Sequence, residues 1–313
     1  VSGALPLRRP GLGIALMLLA TVCFASLDNT VRYLGGTVPV LVLLWVRYLC
    51  QALVMAGWLL RPSSDGFRSA HPKFQFMRGV LLLATSALSF TGVQYMQVAE
   101  YTAINMLAPV VVTLLAAWLL KEQVSPVRWA LVVGCFAGAL IVIRPGSGIM
   151  GWPVVFPLAA AVSYAVFQVL TSKLSQLESP TATHFYTGAV GVALLTPLLL
   201  LHPELRGSYF SQLPAATWGL MLMAGMLGTV GHMLLILALG LAAASTLMPF
   251  IYAQIAVAAA IGWLVFDHLP DGWSWVGMAV VAACGAATVW LNVREAAAQR
   301  RPTSTVQADT LGD

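Results

Sequence analysis

Asp28, Arg32 and Arg47 stand inside long runs that are otherwise apolar. A charge placed in hydrocarbon costs about 2.5–3.5 kcal/mol on insertion scales, so such residues pair with one another or face a polar cavity. Asp28 and Arg32 are four apart on one helical face. Counted from the turn near Gly36, Arg47 lies at the depth of Asp28 on the neighbouring segment. The expectation is a charge pair in which Asp28 balances Arg47 or Arg32, serving either to fix two helices or to gate.

A second constellation is uncharged. Tyr101 and Asn105 are four apart, as are Tyr164 and Gln168, while Tyr252 and Gln254 follow Pro249. Phe24, Asn29 and Gln94 lie on segments adjacent to these. Amides and phenols break no covalent bond unaided. They hydrogen-bond polar groups and stack on rings, which is the chemistry of recognising a small solute. Pro109 and Pro249 each free a carbonyl and permit a hinge. His184 and His232 lie within spans, where each either carries a proton or packs through hydrogen bonds.

Several other chemistries are excluded. No H-E-x-x-H, no G-x-x-x-x-G-K-[ST] and no Ser nucleophile beside a base occurs, so no enzyme and no cofactor is expected. Asp267, His268 and Asp271 supply no closed ligand set and read as surface charge rather than metal ligands. Cys23, Cys50, Cys135 and Cys284 lack C-x-x-C spacing and read as small buried hydrophobes. An integral-membrane enzyme, or a pore or receptor, remains the alternative at this level.

The elements that must position these groups are membrane helices. Of 313 residues, 59% are hydrophobic and 9% charged, with a mean hydropathy of +0.86. A soluble domain carries about a quarter charged residues. The apolar runs are continuous, without the period-two pattern of a barrel. Ten spans are predicted: 11–33, 38–60, 77–96, 99–120, 126–144, 151–173, 182–201, 214–236, 243–266 and 272–292. The first is too long for a cleavable signal and reads as a retained span. Arg61 to Arg78 reads as a polar loop, and 296–313 as a disordered cytoplasmic tail. The net charge of +5 reflects orientation rather than nucleic-acid binding. Twelve Lys and Arg fall on the N-terminal side of the membrane, against Arg32, Arg144 and Arg206 on the other. Both termini are therefore expected in the cytoplasm and the chain in the inner membrane.

The chain is also duplicated. Ala99–Glu122 aligns without a gap on Ala244–Asp267, placing Trp118 on Trp263, Val112 on Val257 and Ala108 on Ala253. Gly11 falls on Gly151, and Phe24-Ala25 on Tyr164-Ala165. The halves, 1–146 and 147–295, hold five spans each. Five is odd, so the copies enter the membrane from opposite sides. Such inverted repeats support alternating access around a site between them. Gly134 and Gly138, and the row Gly225, Gly228, Gly231, mark faces for close helix packing.

Leu107-Ala108-Pro109 through Trp118-Leu119-Leu120-Lys121-Glu122, followed by the small-residue stretch Gly134–Gly138, resembles the drug/metabolite transporter superfamily, in particular its EamA-type ten-helix exporters. The similarity covers nearly the whole chain, with Asp267 where the family has Glu. A narrower similarity is to the YddG-type aromatic amino-acid exporters. The resemblance implies an all-α integral membrane fold and a secondary transporter exporting small metabolites, neutral and aromatic amino acids foremost. It also implies a small-molecule substrate and a bilayer as partners, acting as monomer or homodimer.

Overall fold

In hydrocarbon, a continuous apolar run must satisfy every backbone amide within its own segment, and only a helix does so locally. The computed structural model describes residues 10–62, 66–108, 110–111, 126–144, 151–174, 177–205, 207–241 and 248–299. The first half contains α1 (Pro10–Leu34), α2 (Val40–Leu59), α3 (Pro72–Tyr95), α4 (Val98–Asn105) and α5 (Pro126–Ile143). The second contains α6 (Val155–Leu174), α7 (Pro180–Leu201), α8 (Ala215–Leu241), α9 (Ala253–Phe266) and α10 (Gly272–Gln299). Six described helices are long and apolar enough to cross a bilayer, and three shorter apolar stretches accompany them.

Helix packing carries the duplication into three dimensions. α1 packs on α8 as α6 packs on α3, and α8 meets α2 as α3 meets α7. α1 meets α9 as α6 meets α4, while α2 pairs with α7 and α5 with α10. Exchanging each helix for its counterpart five places along returns the same set, as a pseudo-two-fold axis requires. The protein is an all-α membrane protein of two inverted five-helix repeats.

The glycine faces allow the closest approaches. A Cβ built on Gly225 would lie 2.8 Å from Cys50 Sγ, and one on Gly228 2.9 Å from Arg47 Nε. One on Gly231 would lie 2.9 Å from the Phe24 ring. The row on α8 thus admits α1 and α2 directly onto its backbone. Gly138 and Gly277 do the same where α5 crosses α10.

Three differences from the sequence reading matter. α3 begins at Pro72, so Arg78 is not a loop charge: it is buried and donates to Thr171 Oγ1 (2.9 Å), the Thr183 carbonyl (3.2 Å) and Thr187 Oγ1. It clasps α3 to α6 and α7. α10 continues helically through Gln299, past the expected start of the tail at 296, and 300–313 lie outside the described residues. The fourth run is not one helix. α4 ends in a turn at Met106–Leu107, and in the second half a 3-10 segment, Met248–Tyr252, leads into α9. In the gapless alignment Met106 falls on Ile251, so both copies change geometry at the same place.

Asp271 acts locally at the start of α10. Its Oδ1 accepts from the Ser274 backbone N–H (2.9 Å) and its Oδ2 pairs with Arg144 (2.6 Å). The capping bond to Ser274, helped by Arg144, holds the carboxyl below its ordinary range.

Candidate functional site

The two breaks lie beside an open cavity. α1 contributes Phe24, Leu27 and Asp28, an i, i+3, i+4 face. α3 contributes Leu82, Thr85, Ser86, Ser89 and Phe90 on the same helical periodicity. Arg47 enters from α2, Asn105 and Met106 from the end of α4, and Tyr164 from α6. His232 of α8, Ile251 and Gln254 complete the wall. Repeat-related residues line it together: Phe24 and Tyr164, and Met106 and Ile251. The cavity therefore lies between the halves, where broken spans of inverted-repeat proteins build their sites.

Its charged groups are arranged unexpectedly. Asp28 forms no ion pair with Arg47 or Arg32 among the described residues. Instead Ser89 Oγ donates to Asp28 Oδ1 (3.4 Å), and Arg47 Nη1 donates to Ser86 Oγ, which also bonds Tyr48 Oη (3.0 Å). The serines are three apart on α3, so one face of that helix holds both charges apart. The Arg47 guanidinium lies over Tyr48 (5.1 Å) and Phe90 (5.5 Å). The expected direct pair is corrected accordingly.

Arg32 is elsewhere. It donates to the Val93 carbonyl (3.3 Å) and to that of Met96 at the end of α3, and lies over Phe266 of α9 at 5.3 Å. Those carbonyls end a helix and lack intrahelical donors, so a cation caps them well.

The uncharged candidates divide. Phe24, Asn105, Tyr164 and Gln254 line the cavity, and Asn105 Oδ1 is buried with no hydrogen-bond partner among the described residues. Asn29 does not: its amide donates to Ala25 O (2.9 Å) and Ala258 O (3.5 Å), joining α1 to α9. Gln94 donates to Val31 O (3.0 Å) and Phe90 O (3.1 Å), its head against Gly35. Tyr101 and Tyr252 pack as ridges into the notches left by Gly92 and Gly285. Gln168 lies on α6 with its side chain outside the described set, Pro109 lies outside the described residues, and Pro249 falls in the 3-10 segment.

His232 faces the cavity, its Nδ1–H donating to Gly228 O (2.9 Å) and its ring edge-on to Phe24 at 4.8 Å. His184 is buried behind it, stacked at 5.9 Å and bonded by Gln51. The α3 stripe of Thr85, Ser86 and Ser89 was missed by the sequence reading. Three hydroxyls within five residues of an apolar span were the signal available.

A cavity lined by both inverted repeats, at matched helix breaks, is the arrangement of a membrane transporter. Residues 11–144 and again 151–291 match the EamA-like transporter family, and the chain belongs to that family. It is 27% identical over 299 residues to a riboflavin transporter of Rhizobium johnstonii, covering 94% of this chain and 95% of that one. An S-adenosylmethionine uptake transporter of Rickettsia bellii is 22% identical over 265 residues (85% and 89% covered). A pseudopaline exporter of Pseudomonas aeruginosa is 23% identical over 274 residues (87% and 94%). A solved crystal structure superposes with a TM-score of 0.64 at 17% identity, covering 91% of this chain and 98% of that chain.

Proposed function

We propose that the chain is a secondary transporter of the inner membrane, with both termini cytoplasmic, that exports neutral and preferably aromatic amino acids by alternating access. The observation that carries this reading is the inter-repeat cavity, which combines aromatic faces (Phe24, Phe90, Tyr164) with amide and hydroxyl groups (Asn105, Gln254, Thr85). Aromatic contacts contribute about 0.5–1.5 kcal/mol each, and a buried, unpartnered amide oxygen favours a solute that brings a donor. Relatives named for riboflavin and S-adenosylmethionine support a solute with a ring and polar substituents.

In this reading the halves 1–146 and 147–295 rock about their shared axis. The gate lies where α1 ends. Among the described residues, the hydrogen bonds from α1 to α3 and α9 all involve Asp28, Asn29, Val31 or Arg32, near its C-terminus. Releasing them opens that face, and the duplicated architecture provides the opposite closure.

Counterflow in proteoliposomes tests the proposal. Vesicles loaded with unlabelled tryptophan should transiently accumulate labelled tryptophan above its external concentration. A pore gives equilibration without overshoot. Absence of both overshoot and saturation for every aromatic amino acid refutes the reading.

A further inference from the structure

Asp28 and Arg47 face one cavity at 9% and 4% exposure, yet neither has a counter-ion in contact among the described residues. Among the described residues, Asp28 receives only the long bond from Ser89, and Arg47 Nε is buried without a partner. Opposite buried charges held apart are poorly compensated, because each lost water without gaining a full partner. The aromatic rings and serine that hold Arg47 fix its guanidinium while leaving a donor unused.

We propose that this pair is the specificity clamp of the cavity, Arg47 taking the carboxylate and Asp28 the ammonium of a zwitterionic α-amino acid. The inference deepens the function proposed above and rests on it. A zwitterion supplies both missing partners at once. The guanidinium meets a carboxylate through charge-assisted hydrogen bonds, which are shorter and stronger than neutral ones. The clamp also rejects. An amine without a carboxylate meets Arg47 unshielded, and an acid without an ammonium meets Asp28. Phe24, Phe90 and Tyr164 then surround the side chain.

The test uses the full chain in proteoliposomes, with tryptophan, tryptamine and indole-3-propionate as competitors of labelled tryptophan. In the wild type only tryptophan should compete well. Asp28→Asn should weaken tryptophan about 10- to 100-fold and move the preference toward indole-3-propionate, whereas Arg47→Gln should move it toward tryptamine. If tryptamine or indole-3-propionate competes as well as tryptophan in the wild type, the clamp is refuted whether or not either variant folds. Folded variants that keep the wild-type order of preference refute it too. In both cases tryptophan counterflow leaves the transport reading standing, while a wild type that moves no aromatic amino acid overturns both.

Discussion

Replacing Gly277 with Ala tests the crossing of α5 and α10, a helix pair that the repeat axis maps onto itself. A methyl there would lie 2.7 Å from the Gly138 carbonyl oxygen and 2.9 Å from the Val142 backbone nitrogen. Both atoms belong to a helix backbone and cannot swing aside as a side chain would. The substitution gains about 1 kcal/mol of helix propensity. Overpacking a tight contact costs about 1–3 kcal/mol, giving a net loss of about 0–2 kcal/mol. Gly219, at a similar position in α8, is the control, because a methyl there meets nothing within 4 Å. Gly219→Ala should stabilise by about 1 kcal/mol, leaving the variants about 1–3 kcal/mol apart. Unfolding of both proteins in the same detergent, followed by tryptophan fluorescence, measures the difference. Equal stability would show that α5 and α10 do not meet backbone to backbone.

Asn105→Ala and Gln254→Ala should each lower tryptophan flux about tenfold with little change in the amount of folded protein, as expected for lost solute hydrogen bonds. Unchanged kinetics in both would place the binding site elsewhere. Arg32→Ala removes the clasp on the end of α3. In a background without native cysteines, it should speed labelling of a Ser89→Cys variant by an impermeant thiol reagent applied from the side where α1 ends; unaltered labelling would refute the gate. Glu178, between α6 and α7, accepts from Ser69 Oγ (2.9 Å) and from the His71 backbone N–H (2.8 Å). Its covering works to raise the carboxyl's pKa, but these bonds outweigh it and leave the pKa lowered. The tie therefore stabilises fully above the unfolded carboxylate's pKa, about 4.3, and is lost as pH falls through the lower folded value. The melting-temperature difference between wild type and Glu178→Gln should shrink on acidification from pH 7 toward pH 3, and a constant difference would count against it.

The sequence alone determined that the chain spans a membrane as helices, because apolar runs of this length leave the backbone no other way to bond. It also determined the duplication, since Trp118 and Trp263 mark the same register, and thereby the inverted architecture. Helical spacing put Asp28 and Arg32 on one face, yet of the two only Asp28 lines the cavity. What spacing could not decide is which neighbour each face meets. Tyr101 and Asn105 share a face, yet Tyr101 fills the notch at Gly92 while Asn105 reaches the cavity. Asp28 and Arg47 lie at matched depth, but α3 inserts Ser86 and Ser89 beside them, and no local pattern announces that third helix. Arg78 looked like a loop charge because its partners, Thr171, Thr183 and Thr187, lie on helices about a hundred residues away. Local periodicity fixes the direction of a side chain to within a helical step of about 100°. Contact with a partner depends on the crossing of two helices, set by how small residues such as Gly228 and Gly277 let the backbones approach.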